Sequence, residues 1–264
     1  MQKSAIKNGN IIREEDALVP VTLREVQSNF SVYEALRVVN RHVVHLDDHI
    51  KRLESSASQI GLVLPPVPWQ EWIDRLIEKD NLEDATMRIL VYGGSECMIF
   101  ITWQPLITYP DSYYSEGVAV TTYFGERYLP TCKTSNLLLS YLALNDARSK
   151  GAFEALLVDR HNQVLEGTRS NFYALMGNTM FTAPDNEVLS GVTRISVLRA
   201  AKELGIDVVM RAVKLDEMCN ATSLFISSTS MAAMPVCRLD GKSVPCDFQT
   251  VLKIRDLVRK WEVE

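Results

Sequence analysis

Lys133 stands between a stretch that reads as a strand, 118–123, and one with helical spacing, 135–150. From Glu126 to Arg148 the only other base before that arginine is Arg127. A lysine at a strand-to-helix junction is placed to lose part of its water, and burial disfavours the ammonium form. A neutral amine attacks aldehydes and forms a Schiff base. Glu166 follows at the end of a hairpin strand and opens Glu-Gly-Thr-Arg-Ser-Asn-Phe at 166–172. A carboxylate there can hold a proton on a partner nitrogen. Each residue alone has a plainer reading, since lone lysines are mostly solvated and a Glu before Gly is commonly a turn residue. Two further stretches suit an anion. Val192 and Thr193 open a helix whose first N–H groups and dipole attract negative charge, although an ordinary helix capped by Thr193 has the same sequence. Ser228 and Thr229 follow a buried strand and can donate to anion oxygens, or form a polar turn.

The elements that must position these groups read as follows. Strand formers at 31–39 turn at Asn40 and Arg41 into a second strand over 42–46. Asp47 then caps a helix with Ile50, Leu53, Ala57 and Ile60 inward and Gly61 past its end. A helix over 69–79, strands over 85–92 and 97–103, and a helix over 137–148 ended by Gly151 come next. Hairpins cover 154–166 and 170–182, the second through Gly177 and Asn178. A helix ended by Gly205 follows, with Ile195, Leu198, Ala200, Ala201 and Leu204 inward; a strand over 223–227 and an amphipathic helix over 250–264 complete the chain.

Of the 264 residues 47% are hydrophobic, enough for a sizeable core, and 23% are charged, as in ordinary soluble proteins. A net charge of −5 and no basic block argue against nucleic acid as a partner. No apolar run approaches the ~18 residues of a membrane span, and the first residues lack an apolar signal core. Five scattered cysteines without a Cys-x-x-Cys, beside four histidines, read as reduced thiols in a cytoplasm and not as a metal site.

The blocks Lys-Thr-Ser-Asn-Leu-Leu (133–138), Gly-Ala-Phe-Glu-Ala-Leu-Leu (151–157), Glu-Gly-Thr-Arg-Ser-Asn-Phe (166–172) and Leu-Ser-Gly-Val-Thr-Arg (189–194) occur in that order. Together they resemble the class IV, or fold type IV, pyridoxal phosphate (PLP) enzymes: D-amino-acid and branched-chain aminotransferases and aminodeoxychorismate lyase. The resemblance runs from about Ser31 to Lys242. It implies an α+β fold with a small α/β N-terminal domain over 1–106, a linker over 107–117, and a larger PLP-binding domain over 118–264, barrel-like with flanking helices. It implies a transaminase in which Lys133 holds PLP as an aldimine and then moves the proton, while Glu166 keeps the pyridine nitrogen protonated. Arg52, in His-x-x-Arg-Leu, resembles the phosphate-binding arginine, and guanidinium suits phosphate geometry; read from the residues alone it is a surface charge or a partner for Asp48 or Glu54. Val192, Thr193, Ser228 and Thr229 complete the implied phosphate site. A homodimer with its active site in the domain cleft is also implied.

Substrate choice stays open between the branched-chain and D-amino-acid types, with a 2-keto acid as acceptor. Tyr33 resembles the tyrosine lining the substrate pocket. The lysine and Glu166 blocks look more like D-amino-acid aminotransferases. Those enzymes carry an arginine where Tyr92 stands here, and a nearby histidine that this sequence lacks. Arg88 resembles an arginine of the branched-chain group and can take the substrate carboxylate; Arg169 is a second such group, or faces solvent. The alternatives are a lyase releasing pyruvate and a PLP-binding protein without activity, against which the intact Lys133 and Glu166 argue.

Overall fold

The computed structural model describes residues 3–262. The chain divides into two compact units, Met1–Ile107 with Cys132–Asn136, and Thr108–Thr131 with Leu137–Glu264. Among the described residues no helix is long and apolar enough to cross a membrane.

The first unit holds strands β1 (Ser4–Lys7), β2 (Asn10–Arg13), β3 (Ser31–Val39), β4 (His42–Val43), β5 (Ala85–Tyr92) and β6 (Met98–Gln104), with helices α1 (Arg24–Gln27), α2 (Leu46–Gln59) and α3 (Trp69–Asp80). The strands form an antiparallel sheet in the order β2-β1-β6-β5-β3-β4. Alternation decides its faces. Val32, Leu36, Val38, Met87, Ile89 and Val91 are buried with Leu53 and Ala57 of α2 and Ile73 and Leu76 of α3. Tyr33 and Arg88 fall on the opposite face. Two expectations change here. The second strand is only His42–Val43: Asn40 and Arg41, both left-handed, make the tight hairpin turn, and the chain leaves the sheet where His45 turns left-handed to start α2. The cap of α2 is His45, also left-handed, so Asp47 lies in the first turn, where its charge faces the helix dipole instead of capping it.

The Lys133 segment also departs from the expected division, which put it in the second domain. Its backbone is stitched to the first unit: Thr134 bridges Val32, Ser135 N–H donates to Ser31 O (3.2 Å), and Tyr33 N–H donates to Lys133 O (3.0 Å). The expected linker 107–117 contains a short helix, α4 (Asp111–Ser115).

The second unit continues with β7 (Val118–Phe124), α5 (Leu138–Ser149), β8 (Glu154–Val158), β9 (Gln163–Gly167), β10 (Asn171–Met176), β11 (Thr179–Thr182), α6 (Val192–Glu203), β12 (Asp207–Met210), β13 (Val213–Lys214), β14 (Ser223–Ser228), β15 (Ala232–Leu239), β16 (Lys242–Ser243) and α7 (Phe248–Lys260). Strands β10, β14, β15, β7, β8 and β9 pair in sequence, and β9 pairs back to β10 at Glu166–Asn171. The ring is closed, the barrel expected. Val118, Val120, Leu156, Val158, Phe172, Ala174, Leu224, Ile226 and Val236 belong to one buried cluster. Alternate residues point the other way: Tyr173, Phe225 and Ala233 pack with α6 and α7, and Ala155 and Leu157 with α5.

In α6 the expected inward Ile195 is 55% exposed. The buried stripe is Val197, Ala200 and Ala201, joined by Arg194, whose guanidinium is taken up by Thr182, Ala183 and Asp185; Ile195 is off that stripe at helical spacing. Thr193 does not cap this helix. Its cap residue is Gly191, with no side-chain cap bond. The terminal helix starts at Phe248, capped by Asp247 accepting from Thr250 N–H (3.1 Å); the part of the expected helix at 263–264 lies outside the described residues.

Candidate active site

Lys133 is held by its backbone at both ends. Its carbonyl takes the Tyr33 N–H from β3, and its own N–H donates to Ser56 Oγ of α2 (3.0 Å). Ser56 is buried one turn beyond Arg52. The Lys133 side chain is half-buried, with Nζ 4.6 Å from the centre of the Tyr33 ring, and Arg88 Cζ is also 4.6 Å from that centre. β3 and β5 put Tyr33 and Arg88 on one face, two residues apart in register, since Tyr33 pairs Leu90 and Ala35 pairs Arg88. Lys133, Tyr33 and Arg88 are thus brought together within the first unit.

Behind β3, on its helix-facing side, lies a group absent from the sequence reading. Glu34 is fully buried and accepts from Arg52 Nε (2.8 Å), Arg52 Nη2 (2.7 Å) and His49 Nδ1 (2.7 Å). Burial alone would raise the Glu34 carboxyl; the Arg52 charge, the Arg52 and His49 hydrogen bonds and the Lys133 charge outweigh it and bring it to about 2. Burial pushes His49 down, against the pull of Glu34. Arg52 pairs with Glu34, eighteen residues away. The signal was present: Glu34 lies in the Tyr-Glu-Ala-Leu-Arg block and His49 in His-x-x-Arg-Leu.

In the second unit Glu166 lies next to the end of β9. Its Oε1 accepts from Arg127 Nη1 (3.1 Å), and its Oε2 from Leu189 N–H (3.3 Å). Only 7% of the Glu166 side chain and 12% of the Arg127 side chain reach solvent, so the pair is little screened. The turn after Glu166 is tied down by a second buried carboxylate. Glu154 of β8 accepts from Thr168 N–H (3.3 Å), Thr168 Oγ1 and Ser170 Oγ (3.1 Å). A Cβ at Gly167 would come within 2.1 Å of Ser170 Oγ and would displace that hydroxyl from its place beside Glu154. Arg169 turns to the same place, with Nε 3.6 Å from Glu154 Oε2 and its guanidinium over Phe153.

Asn171 Nδ2 donates to Leu189 O (2.8 Å), fixing the loop that leads into α6. A Cβ at Gly191 would come within 2.4 Å of Asn171 Oδ1, so any other residue there would push the Asn171 amide out of place. Val192 and Thr193 then occupy the first turn of a twelve-residue helix, where N–H groups have no intrahelical acceptor. Ser228 ends β14. Its Oγ is 3.2 Å from Ser230 Oγ, and Arg259 donates to the carbonyls of Thr229 (3.4 Å) and Ser230 (2.6 Å), which fixes the turn from behind. α6 packs against β14 and β15 through Val197, Ala200, Phe225 and Ala233. Taken unit by unit, the groups present are of the kinds PLP calls for: a pinned lysine in the first unit, and in the second an arginine-held carboxylate, a helix start and a hydroxyl turn.

Residues 31–239 match the family model for amino-transferase class IV. The chain is 30% identical over 251 aligned positions to the D-alanine aminotransferase of Bacillus licheniformis, covering 90% of this chain and 88% of that one. It is 29% identical over 280 positions to a putative branched-chain-amino-acid aminotransferase of Methanocaldococcus jannaschii, covering 97% of each. Its fold overlays the solved branched-chain amino acid aminotransferase of Escherichia coli with a TM-score of 0.88 at 26% identity, covering 97% of this chain and 93% of that one. With its lysine, its held carboxylate and a family match over most of its length, the chain belongs to the class IV aminotransferases.

Proposed function

We propose that this protein is a PLP-dependent aminotransferase that moves an amino group between an amino acid, of the branched-chain or D-amino-acid type, and a 2-keto acid. The observation that carries the reading is Lys133, fixed through both backbone groups with its amine over Tyr33. When bound, PLP supplies an aldehyde for amines and a ring that accepts the electron pair left on the substrate's Cα. Lys133 Nζ would hold the aldehyde and, once the substrate's amine displaced it, would be free to take the proton from Cα. Glu166 holds the ring-nitrogen proton. Val192, Thr193, Ser228 and Thr229 donate to the phosphate, and Arg52 adds a permanent charge while it anchors α2 through Glu34. Tyr33 and Arg88 orient the substrate carboxylate. Arg169 we assign to the turn, since its guanidinium lies with Glu154 and Phe153.

The working form we propose is a homodimer in the cytoplasm. Leu138, Tyr141 and Leu142 lie on one face of α5 and are 49–66% exposed, and Tyr128, in the loop before α5, is 79% exposed. An apolar stripe of this kind suits a second copy. Light scattering that gives the mass of one chain would remove this part of the proposal. The five cysteines are free thiols, in keeping with a reducing compartment.

The test is absorbance with PLP present, titrated with L- and D-amino acids side by side. A near-violet band that one amino acid bleaches and a 2-keto acid restores supports transamination and names the donor and its hand. Pyruvate released without a keto-acid acceptor would favour the lyase. Lys133→Ala is expected to abolish turnover; normal transamination by that variant contradicts the assignment.

A further inference from the structure

We infer that Arg127 is a positioning residue that acts through Glu166, aiming its carboxylate and holding it in the charged form, so that the proton on the cofactor's ring nitrogen depends on Arg127. The inference rests on the role proposed for Glu166. The Nη1 group of Arg127 reaches two acceptors. It donates to Pro130 O (2.8 Å) and to Glu166 Oε1 (3.1 Å). The first bond folds the loop after β7 back on itself across Leu129, which sits in the left-handed region at φ 55. The guanidinium is therefore fixed by its own loop before it meets the carboxylate. The second bond places a permanent charge on the Glu166 oxygen in a nearly closed site.

The consequence is electrostatic. A carboxylate out of water prefers to be protonated, and an adjacent guanidinium reverses that preference. With Arg127 in place Glu166 stays an anion, and the shared proton belongs to the ring nitrogen. Without it, the same proton moves to the carboxyl, which then donates to an unprotonated ring. The change is in where a proton sits and not in whether the site is filled, so it separates a positioning role from a structural one.

The test uses holoenzyme loaded with ring-15N PLP and reads the nitrogen by NMR, for wild type, Arg127→Met and Glu166→Gln, with thermal melts and bound-cofactor content measured alongside. In wild type the signal is expected to be that of a protonated pyridine, and in Arg127→Met it shifts toward the unprotonated one. Turnover falls about 10- to 100-fold, the usual scale for loss of a supporting partner. Arg127→Lys keeps the charge but not the fixed planar geometry, and an intermediate shift is expected; it carries the test if Arg127→Met does not fold. A wild-type nitrogen signal in a folded, loaded Arg127 variant, with Glu166→Gln shifted, overturns the inference alone. A signal unmoved in Glu166→Gln overturns the Glu166 reading, and the inference with it.

Discussion

Glu34 and Glu166 are both buried carboxylates facing an arginine, yet their settings differ. Glu34 sits in the middle of the nine-residue strand β3, under α2, and its two oxygens take both donors of Arg52 and the imidazole of His49. Glu166 sits one residue before the end of β9, met by an arginine from a loop and by the N–H of Leu189. The first pair is closed between regular elements and fixes α2, and with it Ser56, the acceptor for the Lys133 N–H. The second lies among loops and turns that another buried carboxylate, Glu154, has to tie down. One arginine–carboxylate pair locks regular elements together; the other holds a carboxylate that we propose faces the cofactor.

The largest effect should come from the framework. Glu34→Ala leaves Arg52 and His49 without their shared acceptor in a closed core, a change of about 3–5 kcal/mol for a broken buried pair, read as a drop in denaturation midpoint. A midpoint unchanged from wild type would place Glu34 outside the framework. The acid limb of stability sharpens the same point. The folded Glu34 carboxyl lies near 2 against an ordinary 4.5, so the unfolded chain binds its proton first. The stabilisation is complete above pH 4.5 and drains as pH falls toward 2, on the order of 3 kcal/mol. His49, held down by burial, adds a loss that begins as pH falls below 6.5. Glu34→Gln should flatten the 4.5-to-2 limb; a wild-type acid profile in that variant contradicts the account. The smallest effect is expected at Glu154. Glu154→Ala strands Thr168 and Ser170 donors at about 1–3 kcal/mol, and it should lower turnover more than Glu154→Gln, which keeps one acceptor oxygen. Equal turnover in the two variants would detach Glu154 from the placement of Glu166.

The elements with clear alternation or helical spacing were legible in the sequence. β5 and β11 lie where the pattern puts them, because a half-buried strand must alternate, and β8, buried at all five positions, is a short run bounded by turns. β15 was not, since Pro235 within it reads against a strand; the structure pairs Pro235 with Phe225 and gives β15 its second neighbour only from Val236. β12 is four residues at a sheet end with little buried surface to pattern it. The site shows the same division. Lys133 and Glu166 stand out by type and local context. Their supports do not, because Arg127 meets Glu166 across 39 positions and the Lys133 N–H meets Ser56 across 77. Thr193 as a cap failed for a local reason: Gly191 lets the chain enter α6 close to Asn171, and the cap falls two residues earlier.

The central claim is that Lys133 carries the cofactor. The most direct measurement is borohydride reduction of the PLP-loaded protein, followed by peptide mass spectrometry. The account predicts a phosphopyridoxyl group on the peptide containing Lys133, and none in Lys133→Ala. The same modification on another lysine, or its survival in Lys133→Ala, would contradict it.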